Sequence, residues 1–190
     1  MKLKEIIKDC GASAVYGNNS IDITSICSDS RKVTAGSFIG KALENGAAAI
    51  VFEDREALEN ELARTCCIGK ERLGKDSVAG QNHIDLEQVS KEKDIAFVQT
   101  DASRHSLAII ASNFYGRPSE KLTLVGITGT NGKTTTVTLL YNMFTGLGYS
   151  CGLLSTIANY VGSKRFEAVN TTSDPITINS LLAQMADEGC

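Results

Sequence analysis

No stretch of this sequence reaches the roughly 18 consecutive apolar residues that a membrane-spanning helix needs, so no such span is expected. The first residues, Met1-Lys-Leu-Lys-Glu-Ile-Ile-Lys-Asp-Cys10, have charges threaded through them and lack the apolar core of a secretory signal. There is no block rich in lysine and arginine, and a net charge of −3 offers no general attraction to nucleic acid. None of the six cysteines, Cys10, Cys27, Cys66, Cys67, Cys151 and Cys190, forms a Cys-x-x-Cys pair. Their scatter suits reduced thiols, some of them buried, better than a disulfide framework or a zinc site. The two histidines, His83 and His105, stand alone, and neither is assigned a role as ligand or base. Internal repeats and low-complexity tracts are absent too. These absences together lead to the expectation of a cytoplasmic protein with neither nucleic acid nor membrane as partner.

What is present is ample for a core: 190 residues, 42% hydrophobic and 22% charged, enough for one or two domains. The first part alternates helix and strand signals. Leu3, Ile6 and Ile7 predict a short helix, Ile23 to Cys27 a strand, and residues 38–46 a helix leading into an apolar strand from Ala47 to Phe52. Glu56 to Arg64 reads as a polar helix. The charged, glycine-bearing run 69–93 reads as a long surface excursion, after which Asp94 to Thr100 returns as a strand. Leu107, Ile110, Ala111 and Phe114 mark one helix face, which Gly116-Arg-Pro-Ser119 ends. A domain boundary is expected there.

Beyond it lies the most informative segment, Leu124-Val-Gly-Ile-Thr-Gly-Thr-Asn-Gly-Lys-Thr-Thr135. Leu122 to Ile127 has the apolar, β-rich character of a buried parallel strand. After Lys133, Val137, Leu140, Tyr141, Phe144 and Leu147 fall at helical spacing. Cys151 to Thr156 reads as the next buried strand, which makes residues 122–156 a βαβ unit with a right-handed crossover. Strand, glycine turn and helix in that order aim backbone N–H groups and the positive end of a helix dipole at one point, where an anion is favoured. Gly129 and Gly132 allow the turn and a close approach; Lys133 brings a positive charge for β- and γ-phosphates, and the Thr134 hydroxyl suits a magnesium ion. The usual phosphate-loop pattern, however, places its first glycine at position 127, where Ile127 stands. Farther on, Asp174 is suited to cap a last helix with Pro175 in its first turn, Ile178, Leu181, Leu182 and Met185 as its buried stripe, and Gly189 at its close.

The displaced glycine is itself a pointer. Gly126-Ile-Thr-Gly-Thr-Asn-Gly-Lys-Thr-Thr135 resembles the ATP loop of the Mur ligases and of their relatives, the folylpolyglutamate synthases. Three other segments resemble Mur ligases more narrowly. They are Ser28-Asp-Ser-Arg-Lys-Val33, like a turn of the uridine-binding domain; Phe114-Tyr-Gly-Arg-Pro-Ser119, like the helix end before the ATPase domain; and Asn170-Thr-Thr-Ser-Asp-Pro175, like a segment of the members that add the third residue of the peptidoglycan stem peptide. On residue types alone, Asp29-Ser30-Arg31 could be a solvated turn, and Asn170-Thr171-Thr172 could be no more than the approach to a helix cap.

The resemblance implies an α/β protein. A small N-terminal uridine-binding domain would occupy residues 1–118, and residues 119–190 would begin a P-loop ATPase domain with a mostly parallel sheet. It implies ATP and Mg2+ as cofactors, with Gly129, Thr130, Asn131, Gly132, Lys133, Thr134 and Thr135 at the nucleotide, Lys133 as the catalytic cation and Thr134 at the metal. Ser30, Asn170, Thr171 and Thr172 would hold UDP-MurNAc-L-Ala-D-Glu, with Thr156 beside the substrate. The co-substrate would be a diamino acid, meso-diaminopimelate in preference to L-lysine, joined through an acyl phosphate by a monomeric enzyme.

Three departures accompany the likeness. Ser173 stands where the family has proline. A strand and an Asp-Gly-His loop that the family places after the Asp-Ser-Arg turn have no counterpart, since Gly36-Ser37 runs straight into Phe38-Ile39. The sequence also stops at Cys190, before the family's metal-binding glutamate, modified lysine and amino-acid-binding domain, so the chain alone is expected to be inactive in ligation. The other readings are a folate-type ligase, against which the Asp-Ser-Arg turn argues, and a nucleotide-binding module without turnover.

Overall fold

The structure, a computed structural model, describes residues 1–27, 42, 46–65, 84–167 and 174–190. It is a mixed α/β chain that divides into two compact units, Met1–Ile110 and Ala111–Cys190.

The first unit runs α1 (Leu3–Ile6), β1 (Ala12–Tyr16), β2 (Ala49–Phe52), α2 (Arg55–Thr65), α3 (Leu86–Lys93), β3 (Ala96–Thr100) and most of α4 (Ser103–Phe114). Its sheet has the order β1-β3-β2, with β3 antiparallel to β1 and parallel to β2. Because side chains alternate across a strand, β3 serves two cores. Phe97, with Ile95 just before the strand, meets Ile50, Phe52, Leu58 and Leu62 together with Leu86 and Val89 of α3. Ala96 and Val98 point the other way, onto Leu3 of α1 and its neighbours Ile7, Ile21 and Ile23. Beside the end of β3, the Thr100 and Ser106 hydroxyls lie 2.5 Å apart, and Ser106 donates to the Cys10 carbonyl at 2.7 Å. The Cys10 thiol is 1% exposed, and burial pushes its pKa up.

The expected elements at Leu3–Ile7, Ala47–Phe52, Glu56–Arg64, Asp94–Thr100 and Leu107–Phe114 are all present within a few residues. Two expectations are corrected. Ile23 to Cys27 is not a strand; Ile23 hydrogen-bonds only to the Met1 end of the chain, and no described strand lies alongside to give it a ladder. In the run 69–93, residues 69–83 lie outside the described residues, but 86–93 is helix rather than surface excursion. Asp85 caps it, accepting from the Glu87 and Gln88 amides, and the burial of Leu86 and Val89 anchors it. The chain after β1 lies close against this helix: the Gly17 amide donates to the Glu87 carboxylate at 2.8 Å, and at Gly17, with φ +91°, a Cβ would come within 1.7 Å of the Ser90 hydroxyl of α3. Of the helix expected over 38–46, Ala42 is helical, and residues 38–41 and 43–45 lie outside the described residues. β1 had no counterpart in the sequence reading.

In the second unit α4 ends at Gly116 (φ +72°) and Arg117 (φ +53°), followed by a short 3-10 turn, Pro118–Glu120. Then come α5 (Lys133–Gly146), β4 (Gly152–Leu153), β5 (Ala158–Val161), β6 (Lys164–Glu167) and α6 (Pro175–Asp187). The sheet β4-β5-β6 is antiparallel throughout. Val161, Leu181, Leu182 and Met185 form the core, with Leu122, Leu154 and Ile178 packed against it. The capped start, buried stripe and Gly189 stop of the last helix are as expected.

The βαβ unit is not formed. Residues 122–127 belong to no strand, and Leu124 and Val125 are 56% and 65% exposed. A parallel strand is stable when neighbours satisfy its backbone and cover both faces, and no described strand lies beside this one. The expected strand Cys151–Thr156 shrinks to Gly152–Leu153 and pairs with β5 in a hairpin instead. For the same reason α5 buries none of its residues fully: Val137, Leu140 and Tyr141 are half-covered, while Phe144 and Leu147 are exposed. Among the described residues, no helix is long and apolar enough to cross a membrane.

Candidate nucleotide-binding site

The glycine loop and the helix behind it form as the sequence predicts. Gly129 at φ +147° and Gly132 at φ +78° hold backbone conformations that a side chain would strain, and a Cβ on Gly132 would meet nothing within 4 Å. Backbone freedom, not space, is therefore what that position requires. Gly132 is the residue at which α5 begins; its carbonyl receives the Thr136 amide at 2.9 Å, and no side chain caps the helix start. The first-turn amides are thus presented at an open surface, with Gly129, Thr130, Asn131, Gly132, Lys133 and Thr135 all exposed.

Lys133 folds back over the loop, its Nζ 2.5 Å from the Gly129 carbonyl and 3.3 Å from that of Thr130. These contacts hold the ammonium at the loop itself, so that an oxyanion bound by the loop also meets the charge. Thr134 is half-buried, and its hydroxyl lies 3.3 Å from that of Thr156 at the β4–β5 turn. The Thr136 and Thr138 hydroxyls donate to the carbonyls of Gly132 and Thr134 and are occupied within the helix. In the same turn, beside the exposed Thr135, the Thr134 hydroxyl has the Thr156 hydroxyl as its neighbouring oxygen. A hard cation such as Mg2+ prefers oxygen ligands and keeps water or phosphate oxygens around it, and the Thr134 hydroxyl fits that chemistry. Among the described residues no group of three or more His, Cys, Asp or Glu side chains is placed to hold a metal by itself.

The other site residues divide differently. Ser30 and the run Asn170, Thr171, Thr172 lie outside the described residues. Two residues beyond that run, Asp174 accepts from the Ile176 and Thr177 amides at 3.0 and 3.1 Å and from the Thr177 hydroxyl at 2.6 Å. Partial burial pushes its carboxyl upward, but these hydrogen bonds outweigh it and hold the group below its ordinary value. The pairing of Thr134 with Thr156 could not be read from sequence, because it depends on the β4–β5 turn, an element the sequence did not announce.

In comparison with known proteins, residues 127–190, starting at the loop, match the Mur ligase middle domain. The chain as a whole is 38% identical to the UDP-N-acetylmuramoyl-L-alanyl-D-glutamate–2,6-diaminopimelate ligase of Cytophaga hutchinsonii and, again at 38%, to that of Bacteroides fragilis. Against the enzyme of the same name from Clostridium tetani the identity is 34%. Each alignment takes in 100% of this chain, and the chain spans 36% of the length of these relatives. The Mur ligase match covers the glycine loop, Lys133, Thr134, Thr156 and the 170–172 run.

Proposed function

We propose that the protein to which this chain belongs is an ATP-dependent amide ligase of peptidoglycan precursor synthesis. In this reading it activates the D-glutamate carboxylate of UDP-MurNAc-L-Ala-D-Glu as an acyl phosphate, which the amine of a diamino acid then attacks. Diaminopimelate, in its meso form as the sequence resemblance implies, is the preferred co-substrate, and the relatives' own names carry 2,6-diaminopimelate. ATP supplies the phosphoryl group, and magnesium offsets the negative charge that gathers on it. The observation that carries the reading is the open loop from Gly129 to Lys133 at an uncapped helix start. The Thr130, Asn131 and Gly132 backbone cradles the phosphates with Thr135 beside the nucleotide, Lys133 supports the charge of the transferring group, and Thr134 stands at the metal side. Ser30 and Asn170–Thr172 are proposed to hold the uridine and muramoyl parts of the substrate. Residues 1–118 would form the uridine-binding domain and 119–190 the beginning of the ATPase domain, in a cytoplasmic monomer.

Lys133 tests this reading. It is exposed and its contacts are with its own loop, so Lys133→Ala in the full-length protein leaves the fold intact. Titration of Mg-ATP by calorimetry is expected to show wild-type binding and none in the variant at the same concentrations. Equal affinity in both would overturn the assignment.

A further inference from the structure

Magnesium bound to a hydroxyl creates a need that the Thr134–Thr156 contact meets. A threonine hydroxyl has one proton and two lone pairs; when a lone pair goes to a cation, the O–H becomes a stronger donor and must point at an acceptor. Resting on the nucleotide-site reading, we infer that Thr156 is the positioning residue for the metal-side hydroxyl, its Oγ1 accepting the Thr134 proton so that the Thr134 lone pairs face the cation. The two oxygens are 3.3 Å apart, close enough for a small rotation to complete the bond.

The turn that carries Thr156 is fixed from below, as this role requires. The Ser155 hydroxyl donates to the Ala158 carbonyl at 2.6 Å and accepts from the Ile157 and Ala158 amides at 3.3 and 3.2 Å. The Ser155 amide in turn donates to the side chain of Asn159, which is 4% exposed. Thr156 itself is exposed and takes no part in that bracket, so its side chain is free to be altered without undoing the turn. A purely structural threonine at an exposed turn tip would have no reason to meet the hydroxyl of the residue after the loop lysine.

The test compares Thr156→Val and Thr156→Ser with wild type in the full-length protein, titrating ATP by calorimetry with excess Mg2+ and again with chelator. The valine keeps the shape and removes the acceptor; the serine restores it. The expected result is a loss of about fivefold in ATP affinity for the valine variant, seen only with Mg2+ and recovered by serine, on the scale of one hydrogen bond. Unchanged affinity of the valine variant with Mg2+, an equal loss with and without the metal, or a serine variant as weak as the valine would each overturn the inference. If the wild type itself fails to bind ATP under either condition, the nucleotide-site reading falls and takes this inference with it, a result distinct from a wild type that binds and a valine variant that is indifferent.

Discussion

At the residue scale, one carboxylate decides how the last helix starts. Asp174 satisfies the open amides at the start of α6. Its carboxyl is held below its ordinary value. The contribution it makes to stability is therefore fully present above the unfolded value of about 3.9 and is lost as the pH falls through the lower, folded value. Asp174→Ala is expected to destabilise the chain by about 1 kcal/mol at neutral pH, the usual cost of losing a capping side chain. Asp174→Asn, a good cap without a charge to titrate, is expected to stay close to wild type at pH 7 and to lose the part of the acid sensitivity that this group contributes. Denaturant unfolding curves at pH 7 and between pH 5 and 2 check both; an asparagine variant with undiminished acid sensitivity would show that the carboxylate is not the source.

At the element scale, what the sequence announces and what it conceals have a common explanation. Local chemistry is legible: the glycines and Lys133 mark the loop and the start of α5, and Asp174-Pro175 with the Ile178–Met185 stripe marks α6. Elements that depend on partners are not. Residues 122–127 have the composition of a central strand, yet composition cannot supply the neighbouring strands that such a segment must pair with. The antiparallel β5–β6 hairpin was hidden for the converse reason, its strands being short and β6 exposed along its whole length. In α3 the charged residues of the outer face concealed the anchoring pair Leu86 and Val89. This contrast can be measured by amide hydrogen exchange on the 190-residue chain. The amides of Phe97 and Val98 in β3 are expected to exchange only on global opening, whereas those of Leu124 and Val125 exchange fast, orders of magnitude sooner. Comparable protection in the two segments would mean that 122–127 is laddered after all.

At the scale of the whole molecule, the two units differ in how complete they are. The first has a sheet with apolar clusters on both faces; the second leaves Leu124, Val125, Leu139, Leu147 and Tyr149 largely exposed. Cys10, buried in the first unit, offers a native clock for the opening of that unit. The thiol is sealed in, and its raised pKa starves it of reactive thiolate, whereas the Cys27 thiol is exposed. Under a pulse of alkylating reagent, read residue by residue by mass spectrometry, Cys27 is expected to label at once. Cys10 should label only as often as the first unit opens, at a rate that rises with denaturant. Labelling of Cys10 as fast as Cys27 in native buffer would mean that the seal around it is broken. The unmutated protein thus carries its own gauge of how often its first unit comes apart.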